Sequence, residues 1–184
     1  MVTQLTYIAL LRGINVGRAK RVAMADVRAL VSGLGFRDVR TLLNSGNVVF
    51  TGVKAVPSRI AGRIETALTG ELGVSARIVV LTAAELATAA AANPLVGIAT
   101  NPSRLLLAFP ATSADTARLG PLLDQDWAPE AFALGSRTAY RWCPDGIALS
   151  RLAAEVGRAL SSAVTMRNWA TVGKLLALSA KVGR

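Results

Sequence analysis

The sequence predicts an α+β fold made of two halves, each built around one antiparallel sheet. Short apolar runs rich in strand formers alternate with segments whose apolar residues recur at helical spacing. Glycine-containing turns at residues 44–47 and 135–136 join neighbouring strands as hairpins. The order strand, helix, hairpin, helix, strand, followed by one extra helix, then occurs twice along the chain. Each half therefore has the βαββαβ order of a ferredoxin-like fold, with helices covering the sheet.

The N-terminal half contains four predicted strands and two predicted helices. The first strand is an apolar run that stops at Arg12 and Gly13, so we expect it to be buried. Pro57 opens the second helix because proline suits the first helical position, and the glycines at positions 70 and 73 end it. The predicted strands cover residues 5–11, 39–43, 48–50 and 78–81, and the first helix covers 23–34.

The second half follows a helix and a linker. A capping box at residues 82–85 starts an alanine-rich helix, which must end at Asn93 because the residue before proline is pushed out of the helical region. The predicted domains are residues 1–81, a helix and linker over 82–102, and residues 103–184. The later strands cover 105–109, 131–134, 138–142 and 163–166, and helices are expected over 115–123, over 150–160 and from Trp169 onward.

Composition excludes several classes of protein. The 184 residues include no histidine and a single cysteine, so His-based nucleophile systems, His-containing metal sites and internal disulfides are excluded. No apolar stretch is long enough for a membrane span, and the N-terminus lacks the basic region of a signal peptide. We therefore expect a cytoplasmic protein that does not insert into a membrane. A formal charge of +10 favours anionic partners, or simply keeps an apolar protein in solution.

Three phrases of the sequence resemble a known family. They are ALLRGINVG at residues 9–17, SGNVVF at residues 45–50, and RNW at residues 167–169 followed by TV at 171–172 and KL at 174–175. On these phrases the chain resembles the bacterial domain of unknown function 1697 family. It departs from the usual pattern at residues 18–20, at Asn44, where the family usually has glutamine, and at Ala170, where it usually has asparagine. The resemblance implies a fold and a set of residues, and no activity.

The loop over residues 12–21 is the first candidate for a site. It follows a strand, precedes a helix and carries four cations, so its N–H groups and the helix N-terminus would suit a phosphate. In a ferredoxin-like sheet the first and third strands are central and antiparallel, so residues 12–15 should meet residues 44–47. The alternative is an ordinary turn, because the spacing matches neither a dinucleotide-binding motif nor a P-loop.

Ten residues are candidates for anion binding, drawn from this loop, the first hairpin and the start of the last helix. They are Arg12, Gly13, Asn15, Gly17, Lys20, Arg21, Ser45, Asn47, Arg167 and Asn168. Asn15 and Asn47 have a second interpretation, in which they only satisfy backbone groups of turns. For Arg167 the alternative is a structural ion pair with Asp145.

Other chemistry-bearing residues have structural interpretations. Asp124, Asp126 and Glu130 are predicted to lie in a solvated loop, without the spacing of a metal site. Tyr7 and Phe50 lie on the central strands, as do the base-stacking aromatics of RNA-recognition domains, but the motif of those domains is absent and both rings suit a core. Cys143 is expected to be buried and inert. No catalytic residue, cofactor or metal site is assigned.

Three functions stay open. The first is a binder of a phosphate-bearing ligand, either a phosphorylated small molecule such as a nucleotide or a nucleic acid, through residues 12–21. The second is an enzyme acting on a small anionic substrate in a groove between the halves, with Arg12 or Arg167 stabilising charge. The third is a protein-interaction or oligomerising module. The sequence leaves open whether the protein is an enzyme, and it does not determine the oligomeric state.

Overall fold

The structure is a computed structural model that describes residues 3–15, 21–161 and 163–183. Contacts divide the chain into two compact units. The N-terminal unit comprises Met1–Ala87 with Lys174–Arg184, and the C-terminal unit comprises Thr88–Gly173. The sequence predicts domain limits at residues 81 and 102. These limits stay a prediction, because contacts within the folded chain do not show which segments fold on their own.

The N-terminal unit is built on one four-stranded antiparallel sheet. Its strand order is β2-β3-β1-β4, the order of a ferredoxin-like sheet, with β1 and β3 at the centre. The strands are β1 (Gln4–Arg12), β2 (Arg37–Leu42), β3 (Asn47–Val53) and β4 (Arg77–Thr82). The helices are α1 (Met24–Gly33) and α2 (Pro57–Leu72), and α3 (Ala83–Ala91) starts in this unit.

The core of the N-terminal unit lies between the sheet and helices α1 and α2. Alternate residues of β1, Tyr7, Ala9 and Leu11, belong to one buried cluster with Val27 of α1 and Ile64 of α2. Burying one large apolar side chain contributes about 1.5–3 kcal/mol to folding. The β1 residues that point to the opposite face are buried as well, which explains why the predicted strand is an unbroken apolar run.

The C-terminal unit repeats this topology. Its sheet has the order β6-β7-β5-β8, again antiparallel throughout. The strands are β5 (Leu105–Pro110), β6 (Ala131–Leu134), β7 (Ala139–Trp142) and β8 (Val164–Asn168). The helices are α4 (Ser113–Ala117) and α5 (Arg151–Leu160), and α6 (Trp169–Ser179) starts in this unit and ends in the part of the chain grouped with the N-terminal unit. The predicted α+β fold with two ferredoxin-like sheets is therefore confirmed.

The first helix of the C-terminal unit is shorter than predicted. A helix was expected over residues 115–123, but α4 ends at Ala117 and a separate 3-10 turn covers Gly120–Leu122. Pro121 explains the break, because it has no N–H to donate and its ring clashes with the preceding turn of an α-helix. In the part of the chain that the structure describes, no helix combines the length and apolarity needed to cross a membrane.

Candidate anion-binding site

The loop after β1 and the β2–β3 hairpin contact each other at one end of the N-terminal sheet. Leu11 N donates a hydrogen bond of 2.8 Å to Gly46 O. Asn15 Nδ2 donates one of 3.1 Å to Asn44 O. The prediction that these two loops meet is therefore confirmed, and its basis was the central, antiparallel pairing of β1 with β3.

Gly46 permits this close contact. Its φ of +77° is in the left-handed region, where a side chain is strained. A Cβ atom built on Gly46 would overlap the Ile14 side chain and lie 2.7 Å from Leu11 Cβ. The hairpin thus packs its backbone directly against the β1–α1 connection, and this packing leaves no space for a side chain.

Asn15 joins the two ends of the β1–α1 connection. It has a φ of 56°, a conformation that asparagine tolerates better than most residues. Its Oδ1 accepts a hydrogen bond of 2.8 Å from Val22 N, and its Nδ2 donates one of 2.9 Å to Val22 O. The Asn15 amide therefore satisfies backbone groups on both sides, which agrees with the structural interpretation of this residue.

Asn47 and Ser45 stabilise the hairpin turn. Asn47 is fully buried, and its Nδ2 donates hydrogen bonds to Leu42 O at 2.9 Å and to Ser45 Oγ at 3.1 Å. Since the Asn47 amide group donates within the turn, it shapes the hairpin from inside. The structure thus assigns Asn47 the same kind of local role that it assigns Asn15.

A pocket of about 460 Å³ lies beside these contacts, at the N-terminus of α1. Arg21 is exposed and lines it. The other described residues that line it are Asn15, Val22, Ala23, Met24 and Asn44. Val22, Ala23 and Met24 were missed as site residues because an apolar side chain gives no chemical signal of a binding site in the sequence.

The N-terminus of α1 has no side-chain cap among the described residues. Ala23 is the N-cap residue, and its methyl group cannot accept a hydrogen bond. The carbonyl of Ala23 accepts from Asp26 N and Val27 N inside the helix, whereas helical geometry gives the N–H groups of Met24 and Ala25 no intrahelical acceptor. The positive end of the helix therefore lies at the pocket that Arg21, Ala23 and Met24 line.

The other predicted site residues differ in their placement. Arg12 and Gly13 are exposed at the end of β1, and Gly13 has a φ of +73°. Gly17 and Lys20 lie outside the described residues. The participation of these four residues in an anion site stays a prediction.

Arg167 and Asn168 lie in the C-terminal unit and have structural roles there. Arg167 Nη1 donates hydrogen bonds to Thr165 Oγ1 at 3.0 Å and to Met166 O at 2.7 Å. Burial lowers the pKa of the Arg167 guanidinium to about 10, so it is still charged at neutral pH. Asn168 Oδ1 accepts a hydrogen bond of 2.9 Å from Thr171 N and so caps α6. Their inclusion in an anion site stays a prediction.

Two aromatic residues of the central strands are confirmed as core. Tyr7 and Phe50 are both 0% exposed, with ring centroids 5.8 Å apart. Neither ring is accessible to a base, so stacking of the kind used by RNA-recognition domains cannot occur on them.

Glu130 was wrongly predicted to belong to a solvated loop. Its carboxylate accepts hydrogen bonds from Ser150 Oγ at 2.9 Å, Arg151 N at 3.1 Å and Leu152 N at 3.0 Å. It therefore occupies the N-terminus of α5 as a built-in anion. Cys143 is buried as expected, and its Sγ lies 3.4 Å from Ser150 Oγ.

Comparisons with known proteins give a family and a fold. The chain is similar to a solved structure described as the conserved bacterial protein SP0830 from Streptococcus pneumoniae. The two are 20% identical and superpose with a TM-score of 0.77, over 96% of this chain and 99% of the other. That likeness shows the fold alone. No curated protein matches the chain. The family model described as protein of unknown function (DUF1697) matches residues 5–140, and the chain therefore belongs to this family.

Proposed function

We propose that the protein binds a small phosphate-bearing ligand, of about nucleotide size, in the pocket beside α1. The observation that carries this proposal is the open N-terminus of α1 together with Arg21 in one pocket. Helix N-termini present N–H groups and a positive partial charge, which suit phosphate oxygens. An arginine adds a planar group that donates paired hydrogen bonds to the same kind of oxygen.

The capping of the other helices supports this interpretation of α1. Within the described part of the chain, α3, α4, α5 and α6 each begin with a polar side chain that accepts a backbone N–H. The capping residues are Thr82, Thr112, Ser150 and Asn168. The α2 helix begins with Pro57, whose nitrogen has no hydrogen to donate. The N-cap residues of α1 and α2, Ala23 and Val56, both lack a side-chain cap, and α1 differs because residues at its uncapped end line a pocket.

The size of the pocket favours a small ligand over a nucleic acid. Small-molecule sites in proteins commonly have volumes of about 300–1,000 Å³, and the pocket here has about 460 Å³. Tyr7 and Phe50, aromatic residues of the central strands, are buried and cannot stack on the bases of a single-stranded RNA. The net charge of +10 attracts either kind of ligand and does not distinguish them.

The role of Arg21 is tested by calorimetric titration with AMP, with inorganic phosphate and with adenosine at low salt. We expect AMP and phosphate to bind and adenosine to bind much more weakly. Arg21→Ala should weaken AMP binding by about tenfold or more, since hydrogen bonds to charged groups contribute about 1.5–3 kcal/mol. Arg28→Ala is the matched control, because Arg28 is an exposed arginine of α1 that does not line the pocket.

The role of the helix N-terminus is tested by Ala23→Asp. An aspartate at the N-cap accepts the free N–H groups itself, so it should stabilise the protein by about 0.5–2 kcal/mol. The same carboxylate would occupy the position proposed for the phosphate and repel it. We therefore expect thermal stability to rise while AMP affinity falls. If AMP binds Ala23→Asp and Arg21→Ala as tightly as it binds the wild type, the pocket is not the phosphate site.

A further inference from the structure

We propose that the exposed face of α2 binds the phosphate backbone of a nucleic acid, through residues that do not line the pocket beside α1. The positive charge of the protein is concentrated in the unit that contains α2. The N-terminal unit has 14 Lys and Arg residues against 5 Asp and Glu, a formal charge of +9. The C-terminal unit has 7 against 6, a formal charge of +1. This asymmetry favours a polyanion as the partner of the N-terminal unit.

Five exposed residues of α2 define the proposed surface, which we call the α2 patch. Positions three or four residues apart lie on the same face of a helix. The members of the patch have this spacing, and they are Ser58, Arg59, Gly62, Arg63 and Thr66. The other face of the helix is buried in the core through Ile60, Ile64 and Leu68. The α2 patch is therefore the solvent side of a helix whose apolar side is already covered.

Neither arginine of the α2 patch forms an ion pair with a carboxylate among the described residues. Arg63 Nη2 donates a hydrogen bond of 2.8 Å to Leu34 O, and the guanidinium carbon lies 5.2 Å from the centroid of the Phe36 ring. These two contacts orient the guanidinium without neutralising its charge. A group that is already oriented loses less conformational freedom when it binds a ligand.

The carboxylates of α2 do not neutralise the patch. Glu65 Oε1 accepts a hydrogen bond of 2.8 Å from Ile78 N, and Glu65 Oε2 lies 3.8 Å from Arg77 Nη1, so this carboxylate is directed toward β4. Glu71 follows Arg63 by eight residues, about 12 Å along the helix axis. In addition, Arg59 lies in the first turn of α2, where a positive charge is unfavourable to a helix. The stability of α2 therefore does not account for this arginine.

The composition of the α2 patch favours a nucleic acid over a protein or a membrane. Protein interfaces have a core rich in apolar and aromatic side chains, and helices that lie on membranes insert an apolar face. The patch has neither. Arginine forks and the hydroxyl groups of serine and threonine are the groups that contact phosphates in nucleic-acid complexes. Gly62 lies between the two arginines, and no atom lies within 4 Å of the position of its Cβ, so a sugar–phosphate backbone can approach the helix closely.

The proposal is tested with a short, fluorescein-labelled DNA duplex of random sequence, whose binding to the full chain is measured by fluorescence anisotropy at several salt concentrations. Each phosphate contact contributes about 0.9 to the slope of log K against log salt concentration. We expect Arg59→Gln and Arg63→Gln each to reduce the slope by about this amount. A fourfold rise in salt should then weaken binding by the wild type about 3.5-fold more than binding by either variant. Arg59→Lys keeps the charge and should keep the wild-type slope.

Arg158→Gln is the matched control, because Arg158 is an exposed arginine on a helix of the C-terminal unit and its replacement removes the same charge. This variant should keep the wild-type slope. Arg21→Ala should keep it as well, which separates the α2 patch from the pocket beside α1. Melting curves establish that each variant is folded.

Four results would overturn the proposal. The first is the absence of duplex binding at low salt, where phosphate contacts are strongest. The second is an equal loss of slope in Arg59→Gln and Arg158→Gln, which would show that net charge alone matters. The third is a slope that depends on Arg21 and not on Arg59, which would place the phosphate contact at the pocket. The fourth is binding to vesicles that contain phosphatidylserine without binding to the duplex, which would assign the α2 patch to a lipid surface.

Discussion

Replacing Gly46 by alanine tests the contact on which the whole candidate site depends. Gly46 belongs to the hairpin that packs against the β1–α1 connection, and its carbonyl accepts a hydrogen bond from Leu11 N. A methyl group at this position meets two obstacles. The backbone has a φ of +77°, and the space that Cβ would occupy is already filled by Ile14 and Leu11.

The size of the effect follows from these two obstacles. Left-handed backbone costs a residue other than glycine about 1–2 kcal/mol. Forcing one extra carbon into a packed position costs about 1–3 kcal/mol more, since the Leu11 Cβ would be only 2.7 Å away. We therefore expect Gly46→Ala to lower the free energy of unfolding by about 2–5 kcal/mol, the sum of these terms.

Gly13→Ala is the matched control for Gly46→Ala. Gly13 has a similar φ of +73°, but no atom lies within 4 Å of the position of its Cβ. It carries the conformational cost alone. The gain of about 0.4–1 kcal/mol that alanine provides by restricting the unfolded chain applies to both variants and cancels in their difference. Urea denaturation of both variants, with equal m values, measures the difference. Equal losses of stability in the two variants would show that the hairpin and the loop are not packed together.

Three further predictions concern the C-terminal unit. Arg141 is 1% exposed, and among the described residues its Nε and Nη1 have no hydrogen-bond partner. Arg141→Met should therefore stabilise the protein by about 1–4 kcal/mol, measured by urea denaturation. A loss of stability would instead show that a partner is bound to the guanidinium. Burial raises the pKa of the Cys143 thiol above its ordinary value of 9.0. The unfolded chain therefore loses this proton at a lower pH than the folded protein does. The stability contributed by the neutral thiol is complete below pH 9 and is lost as pH rises through the raised pKa. Between pH 8 and pH 10 the free energy of unfolding of Cys143→Ala should therefore fall less than that of the wild type, by up to about 1.4 kcal/mol per pH unit. Parallel curves of stability against pH for the two proteins would contradict this. Glu130→Gln should cost about 1–2 kcal/mol in the same assay, because the carboxylate that accepts three hydrogen bonds at α5 is lost, and an unchanged midpoint would show that these bonds contribute nothing.

The fold was predictable because local signals and topology agreed. The apolar run over residues 5–11 has no polar face, and in the structure both faces of β1 are covered. Gly46 marked the first hairpin, since tight turns need residues that tolerate a positive φ. Once two strands are central and antiparallel, the ends that meet are determined, and this predicted the contact between the loop and the hairpin.

The details of the site were less predictable because they depend on which backbone groups the polar side chains bond to in the folded protein. Asn15 and Asn47 are the kind of polar residue that binds ligands, yet their amides bond to backbone carbonyls. Glu130 caps a helix that begins twenty-one residues later, at Arg151, so no local spacing could reveal its role. The pocket itself is lined partly by Val22, Ala23 and Met24, whose apolar side chains give no sign of a binding site in the sequence.

The two units also differ at one equivalent position, and this difference bears on function. Both have the same strand order, but the connection from the first strand to the first helix covers residues 13–23 in the N-terminal unit and only residues 111–112 in the C-terminal unit. At the end of the short connection, Thr112 and Asp115 cap the N-terminus of α4, and each side chain accepts a hydrogen bond from the backbone N–H of the other. A ferredoxin-like unit thus needs no long loop here to fold. The additional length, its two flanking arginines and the uncapped helix end in the N-terminal unit are therefore not needed for this topology, and the proposed anion binding would account for all three.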